Sequence, residues 1–274
     1  MFDTAKTDPR ETLVIREVAA AKQALDNDGF AHIPSSTFEM DAETRQSWET
    51  LIQSFNDLPA DPNDESGMRK RRYGRYLYFP SADMLFEQPP VEAHDGQLKV
   101  EYIQPLSKNS VDGGKRRLFT PLHPVTRSNR ALRDLIRADY KALPARSEWR
   151  NMPVTVGVHQ VKIEPRWGEP GVSSPNCLHQ DGEPFTFVHL ARKHNITGGL
   201  NYVAVPEAAG YRPENIEWDV IHARFTLERP LDTFVVDDQR VSHHVEEVYP
   251  IFPNEAAERS VFLIDFTPNM PQYV

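Results

Sequence analysis

The chain of 274 residues has one cysteine, Cys177, so no intramolecular disulfide can form. A reducing, cytoplasmic setting is the expectation that follows. The opening "MFDTAKTDPRETLVIREV" lacks a basic segment followed by an apolar one, so no secretion signal is expected. No apolar run approaches membrane-spanning length. Positive charge is also short: 31 Lys and Arg face 40 Asp and Glu, a net charge of −9. That balance disfavours a nucleic-acid partner, which needs a basic face to neutralise phosphates. The one basic run, Arg69-Lys70-Arg71-Arg72, is followed by Tyr73, Tyr76 and Tyr78 and reads as a partly buried strand. Internal repeats, low-complexity tracts and linker-like boundaries are absent, so residues 1–274 are expected to form one domain. A soluble protein acting on a small molecule remains, with its oligomeric state open.

What the chain does contain is 23 Pro and 13 Gly, with 39% hydrophobic and 10% aromatic residues. Such punctuation favours short antiparallel strands over a helical bundle. Apolar spacing predicts helices over residues 12–26, 41–55 and 127–143, the last capped by Ser128 with a stripe of Leu132, Leu135, Ile136 and Tyr140. Strands are expected in "FAHIP", "RYGRYLYF" and "LKVEYIQP". From "VTVGVHQVKIEP" onward they dominate, with "EWDVIHARFTLE", "DTFVVDD" and "SVFLIDF" the clearest. The reading is an α+β, mainly β fold. Its core is an eight-stranded jelly-roll (a cupin-like double-stranded β-helix), with residues 1–150 as a helix-rich supporting half and 151–274 as the jelly-roll half.

Within the second half stands the triplet His179-Gln180-Asp181, just before an apolar stretch (Phe185, Phe187, Val188 to Leu190) that reads as a strand. Residues i and i+2 of a strand share a face, so His179 and Asp181 can reach one cation. Two ligands hold a metal poorly. A further histidine is available in "DTFVVDDQRVSHHVEEV", where His243 and His244 are adjacent and one of the two can face inward. Two histidines and a carboxylate leave coordination positions open, the arrangement of non-haem Fe(II) oxygenases, whereas a closed zinc site usually uses more thiolate. A 2-oxo acid on such an iron also wants a fixed cation for its far carboxylate, ideally an arginine fork. Arg259 opens the last predicted strand and is the candidate.

Longer stretches carry a family resemblance. "HQDGEPFTFVHLARKHNITGG" and "LDTFVVDDQRVSHHV" closely resemble the 2OG-Fe dioxygenase family of bacterial free-amino-acid hydroxylases, and "YIQPLSKNSVDGGKRRLFTPL" and "RRYGRYLYF" are similar to its upstream segments. Matching motifs run in order over residues 70 to 268. The resemblance implies Fe(II) held by His179, Asp181 and His243, with His244 as fallback, and 2-oxoglutarate and O2 as co-substrates. It implies hydroxylation of an unactivated sp3 carbon of a free L-amino acid, yielding succinate and CO2. Arg259 matches the 2-oxoglutarate anchor. Relatives often carry Ser or Thr two residues beyond it, where this chain has Val261, so Ser260, a tyrosine or a water is expected to complete that contact.

Gln104, Asn109 and Arg117 match family positions upstream of the barrel and are substrate-binding candidates. Arg117 is either the cation for an amino acid's carboxylate or a brace for the Gly113-Gly114 turn. Glu164 is either an ammonium partner or an exposed strand carboxylate. His189 is expected to pack behind the site, Asp237 and Asp238 to include a turn or arginine partner, and Gly198-Gly199 to form a turn. Cys177 has no partner that suggests nucleophilic catalysis. Two other classes fit the pattern less fully: a cupin-type isomerase or hydrolase using zinc or manganese, and a non-enzymatic ligand-binding barrel. Neither gives Arg259 a role.

Overall fold

Alternation along the last strand, Glu258–Pro268, sets the architecture. Ser260, Phe262, Ile264 and Phe266 are fully buried on one face. Arg259, Val261, Leu263 and Asp265, on the other, line a cavity. A strand with something to bury on each side needs a layer against both faces.

The computed structural model describes residues 13–104, 114–144, 149, 152–173 and 175–269. In chain order the first half holds β1 (Leu13–Ile15), α1 (Val18–Asp28), β2 (Phe30–Ile33), β3 (Phe38–Met40), α2 (Ala42–Gln53), β4 (Arg69–Phe79), β5 (Met84–Gln88), β6 (Val91–Glu92), β7 (Leu98–Tyr102), β8 (Arg117–Phe119), α3 (Pro124–Arg127) and α4 (Arg130–Ala142). The second holds β9 (Val154–Ile163), β10 (Phe185–His194), β11 (Ile196–Gly198), β12 (Asn201–Ala204), β13 (Ile221–Phe225), β14 (Thr233–Asp237), β15 (Ser242–Val245), β16 (Val248–Pro250) and β17 (Glu258–Pro268). A seven-stranded sheet in the order β2-β14-β10-β17-β9-β4-β5 is antiparallel throughout. The sheets β13-β12-β15 and β11-β16 complete the jelly-roll. Among the described residues, no helix is long and apolar enough to cross a membrane.

The outer face of the large sheet packs on the helices: Phe185, Phe187, Phe262, Ile264 and Phe266 share one apolar cluster with Leu25, Leu51, Phe55, Leu132, Leu135 and Ile136. Each fully buried side chain of this size contributes about 1.5–3 kcal/mol. The inner face forms a second cluster, with Val161, Val188, Phe234 and Val261 among its members.

Several expectations are corrected. Leu13, Val14 and Ile15 do not begin a helix; they pair with Met40, Glu39 and Phe38, and α1 starts only at Val18. β-Branched residues gain more from a strand partner than from a helix turn. The cap of α4 is Asn129, whose side chain accepts from Leu132 N at 3.1 Å, while Ser128 ends the short α3 that Pro124 opens. Helices do concentrate in the first half, but that half also lends β2, β4 and β5 to the large sheet, so strands are not confined to residues 151–274. The basic run is inside β4, where Arg69 is buried against Asp61 at 2.7 Å.

A fully buried polar contact crosses the helix–sheet core. Asp139 of α4 meets His189 Nε2 of β10 at 2.9 Å, with both side chains fully buried. The Thr233 hydroxyl donates to Leu231 O, so His189 Nδ1–H donates to Thr233 Oγ1 at 2.8 Å. A proton is then shared between Nε2 and the Asp139 carboxyl, which burial holds above its ordinary value. His189 thus packs behind the cavity. Replacing Asp139 by Ala leaves His189 Nε2 without this partner in an apolar layer and should lower the unfolding free energy by about 1–3 kcal/mol. Urea denaturation checks this, and an unchanged midpoint would show that the contact contributes nothing.

Candidate metal centre

The backbone brings the two histidines together before their side chains are considered. His179 N donates to His243 O and His243 N to His179 O, both at 2.9 Å, an isolated antiparallel bridge just ahead of β10. Residues paired this way stand side by side, and the imidazole centroids are 4.4 Å apart. Asp181 follows in the turn before β10, not on the strand itself. Its position is fixed by Asp238, whose two carboxylate oxygens accept from Asp181 N and Gly182 N, each at 2.7 Å. Gln180 turns away and donates to Asp238 O.

The outcome is a convergent triad. One potential ligand atom from each of His179, Asp181 and His243 lies within 4.8 Å of the others. Asp181 Oδ1 is 3.6 Å from His179 Nε2, and Oδ2 is 3.3 Å from His243 Nε2. The adjacency of His243 and His244 is resolved by strand alternation, because β15 turns His243 towards Asp181.

These residues fit a divalent metal. His179 Nδ1 bonds to Cys177 O at 2.9 Å; a carbonyl only accepts, so Nδ1 carries the hydrogen and Nε2 presents its lone pair to the cavity. Burial, then the neighbouring His243, push the His179 imidazole down to about 4, keeping it neutral. His243 Nε2 is buried without a hydrogen-bond partner. Burial opposes charge on both other members, yet the Asp181–His243 contact holds the carboxyl well below its usual range and the imidazole above its own. Burial followed by the Asp181 charge raises Asp238 to about 7, as for two carboxyls that share one site. A cation would satisfy all three inward-facing groups, and no thiolate is among them.

The remaining predicted residues divide. Arg259 lines the same cavity. It is buried, burial pushes it down to about 10, and no carboxylate lies within ion-pair distance of it among the described residues. Ser260 is turned to the opposite face of β17, where its hydroxyl donates to Glu258 Oε1 at 2.5 Å, so it does not complete the Arg259 site. Gln104 and Arg117 line the cavity. Glu164 does not; it pairs with Lys70 at 2.6 Å and Lys162 at 2.8 Å. Asn109 lies outside the described residues, as does Gly113. Gly198 and Gly199 turn with φ of 81° and 71°.

Other cavity residues were not singled out by sequence reasoning: Tyr102, His159, Glu183 and Asp265. Asp265 was legible, because it shares a strand face with Arg259, Val261 and Leu263. Burial raises it to about 7. Burial and then the charge of Asp265 push Glu183 well above the carboxylate range.

A jelly-roll carrying two histidines and one carboxylate in one cavity with a buried arginine defines a non-haem metal oxygenase scaffold. The sequence profile of the 2OG-Fe dioxygenase family matches residues 52–265, and the chain belongs to that family. It is similar to the L-isoleucine-4-hydroxylase of Bacillus thuringiensis, 27% identical over 246 residues, covering 89% of this chain and 92% of that one. It also matches the 3(1)-hydroxy-L-isoleucine 4-dioxygenase of Pantoea ananatis, 26% identical over 255 residues and covering 89% and 94%. The fold matches the crystal structure of IDO from Bacillus thuringiensis with a TM-score of 0.70 at 21% identity, covering 93% and 96%. A bsmA homolog from Methylobium petroleophilum gives 0.72 at 22%, covering 92% and 93%. The chain is therefore an oxygenase whose metal is Fe(II) and whose co-substrates are 2-oxoglutarate and O2.

Because Asp238 fixes the Asp181 turn, Asp238→Ala should weaken Co(II) binding by about 10–100-fold, the usual effect of losing a partner that orients a ligand. Titration followed by visible absorbance measures it, and unaltered affinity would show that the turn holds without Asp238.

Proposed function

We propose that this protein hydroxylates an sp3 carbon of a free L-amino acid, converting 2-oxoglutarate and O2 to succinate and CO2. The observation that carries the reading is the convergence of His179, Asp181 and His243 in one cavity with an arginine that has no carboxylate partner among the described residues. In this reading the two Nε2 atoms and the Asp181 carboxylate hold the iron. Arg259 neutralises the far carboxylate of 2-oxoglutarate through its planar fork. The two hydroxylases of isoleucine-type substrates noted above support an amino acid as substrate. One domain working on a small molecule in the cytoplasm completes the reading.

Bound iron supplies the redox chemistry: O2 takes two electrons from oxidative decarboxylation of 2-oxoglutarate and two from the C–H bond. The chain's own residues position and screen. His179 is kept as the Nε2 ligand by the carbonyl of Cys177. Val161, Val188, Phe234, Val261 and Leu263 give the cavity shared by the triad and Arg259 an apolar lining, which disfavours water around the co-substrate. A cupin-type isomerase or hydrolase gains no support, since it assigns no ligand to Arg259.

Succinate release across a panel of the twenty amino acids tests the reading, with stimulation by at least one expected. Asp181→Ala should abolish turnover while thermal unfolding stays cooperative; full activity would remove the ligand set. Arg259→Lys should raise the KM for 2-oxoglutarate by about tenfold or more, because a point charge replaces a fork. An unchanged KM would place the anchor elsewhere.

A further inference from the structure

The cavity also holds charges that neither metal nor 2-oxoglutarate uses. Arg117, at the start of β8, lays its guanidinium 4.6 Å from the Tyr102 ring centroid. Its Nη2 donates to Gln104 Oε1 at 2.5 Å, and its Nε is buried with no hydrogen-bond partner. No carboxylate lies within ion-pair distance of Arg117 among the described residues. Gln104 in turn donates from Nε2 to Glu183 Oε2 at 3.0 Å. One carboxamide thus stands between a guanidinium and a carboxyl group. Asp265 adds a second unmet group: Oδ2 is buried and unpartnered, with His159 Nε2 3.7 Å away, and the side chain is 9% exposed. All of these residues line the cavity that holds the triad.

A guanidinium and a carboxylate side by side in a dry pocket collapse into an ion pair, and their charges are then lost to any ligand. A carboxamide prevents this. It offers an acceptor at one end and a donor at the other, so it satisfies one hydrogen bond of each neighbour without cancelling either charge. The unmet atoms call for a ligand carrying both signs: an anion for the guanidinium, and a cation for the carboxylates.

We propose that Arg117, Gln104, Glu183 and Asp265 form a clamp for the zwitterionic head group of the amino acid. Arg117 takes the α-carboxylate, and Glu183 with Asp265 takes the α-ammonium. Gln104 is a positioning residue that holds the two charged ends apart. The inference rests on the hydroxylase reading and deepens it by assigning the residues that read the amino and carboxyl ends of the substrate. Peptides, N-acyl amino acids and amino-acid amides are excluded, because each leaves one buried charge without its counterpart.

The test uses the Fe(II)-loaded enzyme and the amino acid that best stimulates succinate release. Its N-acetyl and carboxamide derivatives should each show kcat/KM lower by about 100-fold or more, the scale of an unpaired buried charge. This comparison needs no variant. Arg117→Met should then depress the free amino acid by a similar factor while leaving the carboxamide unchanged. Asp265→Asn should act likewise, sparing the N-acetyl derivative. Gln104→Glu, which pairs with Arg117 and repels Glu183, should raise KM for the amino acid with kcat little altered. Anaerobic 2-oxoglutarate binding, followed by calorimetry, should be the same in all variants. Derivatives as good as the parent, or an Arg117→Met loss equal for acid and amide, overturn the clamp. If 2-oxoglutarate binds but no amino acid stimulates succinate, the clamp falls and the oxygenase reading stands. If 2-oxoglutarate does not bind, both fall.

Discussion

The half-buried carboxylate of Asp181, set between two imidazole nitrogens, is the constraint on which the rest depends. Two pieces of backbone hydrogen bonding hold it there. One is the reciprocal bridge between His179 and His243, and the other is the pair of bonds by which Asp238 grips the amides of residues 181 and 182. Neither depends on the metal, so the chain builds the ligand geometry in advance of the ion. The raised Asp238 carboxyl follows from the same closeness. Two carboxyls that near cannot both ionise easily, and the one gripping two amides is the one that yields. Asp238 then orients without competing for the cation.

Sheet alternation distributes the chemistry along one strand. On the inward face of β17, Arg259 comes first, Val261 and Leu263 follow, and Asp265 comes last. A cation and an anion therefore stand at opposite ends of one apolar span. The outward face of the same strand holds Phe262, Ile264 and Phe266 in the helix-backed core. Any sideways slip of β17 would exchange the two sets and bury charge among the helices. The packing that stabilises the fold is thus the packing that keeps Arg259 inside the cavity.

This also explains what was legible in the sequence. Arg259 needed only the two-residue period of a strand, whereas His179 and Asp181 were legible as a metal-capable pair although Asp181 reaches the site from the turn before β10. The same period would have excluded Ser260 and found Asp265. The choice between His243 and His244 could not be made from residue types, because it depends on which one bridges His179, a pairing across distant chain. Glu183 was illegible for a similar reason: its place comes from the turn after Asp181 and from Gln104, nearly eighty residues earlier (|i−j| = 79). The recruitment of β2, β4 and β5 into the large sheet is likewise long-range pairing that local pattern does not encode. Glu164 alternated onto the wrong side of its segment, where two lysines claim it.

The charge balance gives the cavity its direction. The chain carries a net −9, which disfavours small anions at its surface, yet four arginines line the cavity. They are not equivalent. Arg69 and Arg71 share Asp61, at 2.7 and 3.9 Å, and Arg71 is further engaged with His159. Arg259 and Arg117 have no carboxylate within ion-pair distance among the described residues. A buried guanidinium costs several kcal/mol to desolvate unless something compensates it. Two guanidiniums in one cavity without a carboxylate partner among the described residues match the two carboxylate-bearing ligands of the proposed reaction, the 2-oxo acid and the amino acid. The Asp61 pair marks the difference between arginines that stabilise the barrel and arginines kept available for ligands.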